Sequence, residues 1–221
     1  MIEKQLKLMN LTKFDIYWIH NVEGAPKWIE ELAKYFQGKN ANEIPLIGVS
    51  NHNLSEIKEA HEILKKYNLK LSAVQNHYSL LNRSSEDSGI LDYCLENNIQ
   101  FFSYMVLEQG ALSGKYDSKN LMPEKSERGK IYNPQMEKID KLNAEIKKLA
   151  DKYKVKPALI PMAWAICKET IPIIGVTKID QVKDAVEATK INLLRKEIED
   201  LETFASQLKI NVIRFWEKEM K

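Results

Sequence analysis

Apolar residues come in short runs rich in β-branched and aromatic side chains, each followed by a stretch where they recur every three or four positions. The runs Phe14–His20, Pro45–Val49, Leu71–Gln75 and Gln100–Tyr104 predict strands. The stretches Lys27–Phe36, Ser55–Tyr67 and Gly89–Asn97 predict helices, the second with Ile57, Ala60, Ile63 and Leu64 on one face. Strands alternating with helices of about ten residues imply βαβ units and a parallel sheet. Ile2–Leu11 reads as the last turns of a helix that leads into the first strand.

After Tyr104 the rhythm stretches. The polar segment around 115–134, with Pro123, Gly129 and Pro134 among Lys, Ser and Glu, predicts a long surface loop of the kind that serves as a lid or binding loop. Two helices follow, Gln135–Tyr153 and Pro157–Cys167, with Pro157 where a first-turn proline fits. Thr170–Ile174 predicts a fifth strand, and Ile179–Thr189 and Lys196–Gln207 two more helices. The last dozen residues, with Ile210, Val212, Ile213, Phe215 and Trp216, form an apolar tail that should pack on something. No linker-like composition interrupts the chain, so a single domain over 1–221 is expected.

Length sharpens this count. A (β/α)₈ barrel typically takes about 250 residues, and 221 could hold a compact one. Five strands, a long loop and extra helices already use that length. The expected class is α/β: a partial TIM (β/α)₈ barrel of five parallel βα units with an extra C-terminal helix. Its first and fifth strands would be open edges, which invite a second copy or a complementing N-terminal fragment.

Charge and composition remove several classes of partner. The 33 basic and 31 acidic side chains leave a net charge of +2 without long like-charged blocks, so nucleic acid is not an expected partner. No apolar run approaches the ~20 residues needed to span a bilayer, and the N-terminus lacks a secretory pattern, so no membrane partner and a cytoplasmic location are expected. Cys94 and Cys167 read as reduced core thiols, and no His or Cys spacing suggests a metal.

In βα architectures chemistry gathers at the carboxyl ends of the strands. Here those ends carry His20-Asn21, Ser50-Asn51, Gln75-Asn76, Ser103-Tyr104 and Gly175-Val176-Thr177-Lys178. Alternation places Ile16, Trp18 and His20 on one face of the first strand and Asp15, Tyr17 and Ile19 on the other. A lone histidine at a strand end is often structural, but the polar residues at neighbouring ends favour a catalytic reading for His20. His52 and His61 read as loop and helix-surface residues, and His77 lies just past the Gln75 position. At the fifth strand end, Thr177 is placed to cap a helix with Asp180 three residues on, leaving backbone N–H groups and Lys178 for a phosphate. An ordinary cap with a solvated lysine is the other reading of that segment. No GxGxxG or P-loop pattern is present.

Together the stretches Phe-Asp-Ile-Tyr-Trp-Ile-His (14–20), Ile-Gly-Val-Ser-Asn (47–51), Val-Gln-Asn-His-Tyr-Ser-Leu-Leu-Asn-Arg (74–83), Gln-Gly-Ala-Leu-Ser-Gly-Lys-Tyr (109–116) and Ile-Pro-Ile-Ile-Gly-Val-Thr-Lys (171–178) resemble the aldo-keto reductase family. The resemblance covers nearly the whole chain but only the later part of the family's pattern. It implies a (β/α)₈ barrel that binds NADP(H), with NAD(H) as the other candidate, and that moves hydride between nicotinamide and a small-molecule carbonyl. By position, His20 resembles the tetrad histidine that orients the substrate carbonyl. Ser50, Asn51 and Gln75 resemble the groups that hold the carboxamide, and Tyr104 the ring that stacks on the nicotinamide. Leu107, Gln109 and Lys115 lie on the loop over the pyrophosphate. Gly175, Thr177, Lys178 and Gln181 resemble the adenosine-phosphate pocket, with Lys178 facing the 2′-phosphate.

The sequence departs from the family pattern at Tyr104-Met105-Val106-Leu107, where Tyr-Ser-Pro-Leu is usual, and at Asp184-Ala185, where an Asn commonly follows the acid. The family's tetrad Asp, Tyr and Lys stand on three units before the histidine strand, and here about a dozen residues precede that strand. Tyr17 points away from His20, and Tyr78 and Tyr93 belong to a loop and a helix elsewhere. Without the tyrosine donor the chain alone should lack most of the ~10²–10⁴-fold that general acid catalysis contributes. The expectation is an aldo-keto reductase oxidoreductase in its complete form and a catalytically incomplete chain as it stands. A non-catalytic cofactor-binding or regulatory module, or one part of a split enzyme, are the other readings.

Overall fold

The structure is a computed structural model and describes residues 2–214, 217, 218 and 220. The chain divides into two compact units, one of residues 1–76, 85–101 and 220–221, the other of 77–84 and 102–219. Five parallel strands alternate with helices, as the hydrophobic pattern requires.

In the first unit the order is α1 (Ile2–Met9), β1 (Ile16–Ile19), α2 (Ala25–Phe36), β2 (Leu46–Ser50), α3 (Leu54–Lys65) and β3 (Leu71–His77), whose last residue belongs to the second unit. α4 (Ser84–Asp87) and α5 (Ile90–Glu96) follow, and β4 (Gln100–Tyr104) begins here. β1 pairs with β2 through Ile19↔Val49, and β2 with β3 through Val49↔Val74 and Ser50↔Gln75, both parallel. α2 turns Ala25, Ile29, Leu32, Ala33 and Phe36 inward, a spacing of three and four that makes one apolar face. α3 starts at Asn53, whose Oδ1 accepts the Glu56 N–H at 3.0 Å while Glu56 Oε2 accepts the Asn53 N–H at 2.8 Å. This reciprocal cap satisfies two otherwise orphaned donors and fixes where the chain turns from β2 into the helix.

In the second unit β4 ends and pairs with β5 (Ile171–Pro172) through Phe102↔Ile171 and Ser103↔Pro172. β5 is shorter than the predicted 170–174 because Pro172 has no N–H for the ladder, although Ile173 N–H still reaches Ser103 O at 2.8 Å. α7 (Met136–Tyr153) buries Met136, Ile139, Leu142, Ile146 and Ala150 along one stripe. α8 (Leu159–Cys167) is buried from Leu159 through Ala165, and its Trp164 stacks on Tyr78 with ring centroids 4.9 Å apart. α9 (Ile179–Ala188) and α10 (Arg195–Gln207) complete the helices. No helix among the described residues is long and apolar enough to cross a membrane.

The segment around 115–134 is not simply a surface loop. It carries α6 (Glu127–Tyr132), capped where Ser126 Oγ accepts the Gly129 N–H at 3.1 Å, and it buries Met122, Gly129 and Tyr132. A Cβ at Gly129 would sit 2.3 Å from the Pro123 carbonyl oxygen, so only glycine lets α6 lie against that backbone. The polar run before Ser126 is irregular as expected, and the helix begins only at Glu127. Of the apolar tail, Val212 is buried, while Phe215 and Trp216 lie outside the described residues.

Gly48 in β2 is a second position where no side chain fits, since an added Cβ would lie 2.4 Å from the Trp18 ring. Gly48→Ala is expected to lower stability by about 1–3 kcal/mol through overpacking. Shrinking the neighbour in Trp18→Leu should recover part of that loss, as read from denaturant unfolding of the single and double variants.

Candidate functional site

The strand register builds the first polar grouping. Ile19↔Val49 carries His20 to the level of Ser50, and Ser50 is paired with Gln75. Ser50 Oγ donates to Gln75 Oε1 at 3.3 Å, and Asn51 Nδ2 donates to Ser50 Oγ at 3.4 Å, long bonds that a stronger partner could replace. Asn51 has φ +61°, a left-handed turn that asparagine tolerates, and its N–H donates to Gln75 O at 3.0 Å. His20 is exposed one residue beyond β1. His52, expected in a loop, is buried: its Nδ1 lies 2.8 Å from Ser50 O, and its carbonyl accepts from Asn76 Nδ2 at 2.9 Å. His61 bonds Tyr93 at 2.9 Å, so Tyr93 is engaged on the helix surface.

The second unit holds a cavity of about 650 Å³. Leu107, Gln109, Lys115, Gly175, Thr177 and Gln181 line it together, although the two stretches they come from are some sixty residues apart in the sequence. Arg128 of α6 and Asp184 of α9 join them. Arg128 lies in the segment expected to be a loop and has no sequence signal as a liner, whereas Asp184 stands at the acid position of the family's pattern noted above. Asp184 is paired with Lys156 at 2.8 Å. Tyr104 and Lys178 stand outside the lining.

The cap of α9 differs from the expected one. Lys178 takes the N-cap position, and Gln181 Oε1 accepts the Thr177 N–H at 2.7 Å and the Lys178 N–H at 3.0 Å. Gln181 therefore does the capping that Thr177 and Asp180 were expected to do. Its longer side chain reaches back over the turn to the Thr177 and Lys178 amides, which precede the helix.

A buried carboxylate, Glu108, which no local sequence signal marks, joins several segments of this unit. It sits at φ +46° between Leu107 and Gln109, with Met105 and Gln109 also left-handed, and its side chain is fully buried. Glu108 Oε1 accepts from His77 Nε2 at 2.7 Å and from Ser79 Oγ, and Oε2 accepts from the Tyr132 hydroxyl at 2.6 Å. Arg214 Nη2 donates to that hydroxyl in turn. His77 Nδ1 donates to Glu217 Oε2 at 3.1 Å, and Tyr104 OH to Glu217 Oε1 at 3.1 Å. Arg214 pairs with Glu217 at 3.3 Å. No local signal could reveal this network, because the bonds that join its segments span 24 residues, from Glu108 to Tyr132, up to 140, from His77 to Glu217.

Two carboxylates thus face two cations in a dry interior. Burial alone would push the His77 imidazole down, but Glu108 and Glu217 outweigh it and raise it to about 9. Burial opposes ionisation of Glu217, yet His77 and Arg214 hold it at about 2. Burial, followed by the neighbouring carboxylates, pushes the Tyr104 and Tyr132 phenols up. Burial likewise pushes the Cys94 thiol up to about 12. Tyr132 is thereby made a neutral hydrogen-bond relay, the opposite of a phenol activated for proton transfer.

Parallel strands alternating with helices, with polar side chains at the strands' carboxyl ends, are the building plan of βα-barrel proteins. A model of the Aldo/keto reductase family matches residues 1–206, and the chain belongs to that family. It is 29% identical over 161 residues to a chloroplastic pyridoxal reductase of Arabidopsis thaliana, covering 73% of this chain and 44% of that protein. To an NADP(+) aldo-keto reductase of Schizosaccharomyces pombe it is 27% identical over 199 residues, covering 87% of this chain and 57% of the other. The solved glycerol dehydrogenase of Gluconobacter oxydans shares the fold at a TM-score of 0.80 and 24% identity, covering 97% of this chain and 65% of that one. The chain spans less than two thirds of the length of each.

The charge network sets a pH dependence. His77, raised from 6.5 to about 9, contributes stability that is complete below about pH 6.5 and is lost as pH rises through about 9. Glu217, lowered from 4.5 to about 2, contributes stability that is present above about pH 4.5 and is lost as pH falls through about 2. The melting temperature is therefore expected to fall between pH 6.5 and 9.5, and His77→Gln should flatten that slope. Glu108→Ala, which strands buried donors, is expected to cost about 3–5 kcal/mol in denaturant unfolding.

Proposed function

We propose that the chain is the cofactor-holding C-terminal part of an NADP(H)-dependent carbonyl oxidoreductase. The observation that carries this reading is the cavity of about 650 Å³ that gathers Leu107, Gln109 and Lys115 with Gly175, Thr177 and Gln181. Lys115 and Arg128 supply two cations to its wall, a donor set that fits the phosphates of a dinucleotide. Lys178, exposed at the mouth of α9, is the further cation for a 2′-phosphate and favours NADP(H) over NAD(H). With the Thr177 and Lys178 amides just before α9 engaged by Gln181, the side-chain cations Lys115 and Arg128 supply the charge for a phosphate here.

In the first unit, Ser50, Asn51 and Gln75 present paired donors and acceptors suited to a carboxamide, and the long bonds among them leave room for exchange with it. When bound, the cofactor supplies the hydride. His20 would orient a small carbonyl substrate through its exposed ring. Tyr78 is fully buried against Trp164, so it cannot serve as the proton donor. The chain by itself is therefore expected to bind cofactor with little turnover, and a complementing N-terminal portion carrying the acid would complete the reaction centre.

Titration of the protein into NADPH, read by nicotinamide fluorescence, should saturate, and tighter than with NADH. Lys115→Ala and Arg128→Ala should each weaken NADPH about tenfold or more, the scale of a lost charge-assisted bond. Failure to saturate at millimolar cofactor sinks the binding reading, and NADPH oxidation above the protein-free rate with a panel of aldehydes and ketones sinks the claim of low turnover.

A further inference from the structure

The Tyr104 ring, which by the family resemblance would stack on the nicotinamide, is held by a residue that follows the last helix. Glu217 stands in an irregular stretch beyond α10, yet its side chain is only 2% exposed. One carboxylate oxygen accepts the Tyr104 hydroxyl at 3.1 Å, and the other lies 3.1 Å from His77 Nδ1. Those two rings stack on each other, with centroids 5.5 Å apart and planes 29° from parallel. A single carboxylate therefore fixes both members of a ring pair, one by its hydroxyl and one by its nitrogen.

The carboxylate is itself held on its far side. Arg214 donates its backbone N–H to Glu217 Oε2 at 3.1 Å and sets its guanidinium 3.3 Å from the same oxygen. Arg214 is anchored at the Tyr132 hydroxyl, which Glu108 holds. Upstream, Asn211 exchanges two hydrogen bonds with Gln135, at 2.7 and 3.0 Å, so the segment is tied at two places. A carboxylate braced in this way has little freedom to rotate, and it passes that rigidity to the Tyr104 ring.

We propose that Glu217 is a positioning residue for the cofactor: it orients the Tyr104–His77 ring pair as the platform on which the nicotinamide stacks. The proposal rests on the cofactor reading given above. It makes the segment after α10 part of the binding site, outside the residues 1–206 matched by the family.

The test is a double-mutant cycle of Glu217→Gln and Tyr104→Phe in the full chain, with NADPH affinity read by fluorescence and each variant's folding checked by its thermal melt. Tyr104→Phe keeps the ring and removes the bond to Glu217, so it reports even if Glu217→Gln folds poorly. Each single change is expected to weaken NADPH about 3–10-fold, the scale of one hydrogen bond. The double variant should lose less than the two single losses together, because the Tyr104–Glu217 contact is common to both. In carbon-13 spectra of tyrosine-labelled protein, the Tyr104 ring signal should broaden or shift in Glu217→Gln. Equal NADPH affinity in wild type and Tyr104→Phe, additive losses in the cycle, or an unmoved Tyr104 signal overturns the proposal. Absence of binding in the wild type instead overturns the cofactor reading, and the platform with it.

Discussion

The second unit is organised around a carboxylate out of reach of water. Glu108 has no exposed surface, and an ionised group there is tolerable only because His77, Ser79 and Tyr132 all point hydrogens at it. Each of those donors arrives from a different segment: the end of β3, the turn after it, and α6. Left-handed residues at 105, 108 and 109 are locally costly, and the bonds made by Glu108 are what hold the chain in that shape. The same turn presents Leu107 and Gln109 to the cavity wall, so the form of the cavity depends on a group that does not touch it.

The charges around Glu108 also explain how Arg214 and Glu217, beyond the last helix, come to be held. Arg214 and Glu217 carry no helix or strand with them, but both side chains are buried and pair within the network. Removing one member of such a set strands the others without solvation, which is why buried ion pairs specify a conformation even where they add little net stability. In this chain the conformation specified includes the orientation of Tyr104.

Repeat units and strand ends were legible because they obey local rules. Alternating apolar runs and helical faces follow from backbone period, and they located all five strands and the helices beside them. The polar residues at the strand ends followed from the same count. The segment at 115–134 was read too loosely because a short helix with one buried face has little periodicity to show, and its docking depends on Gly129 meeting the Pro123 carbonyl. The cap at α9 was assigned to Thr177 by the ordinary preference for a hydroxyl, whereas Gln181 reaches the same amides from one turn inside the helix.

Taken alone, the sequence determined the α/β class, the five βα units, the family, and the identity of the strand-end residues, since each depends on neighbours within about a dozen positions. Tertiary structure decided which distant residues share a wall: Lys115 and Arg128 with Thr177, Glu108 with His77, Glu217 with Tyr104. Those pairings depend on three-dimensional packing and on the cost of burying charge without a partner. Hydrophobic period along the chain carries no information about either.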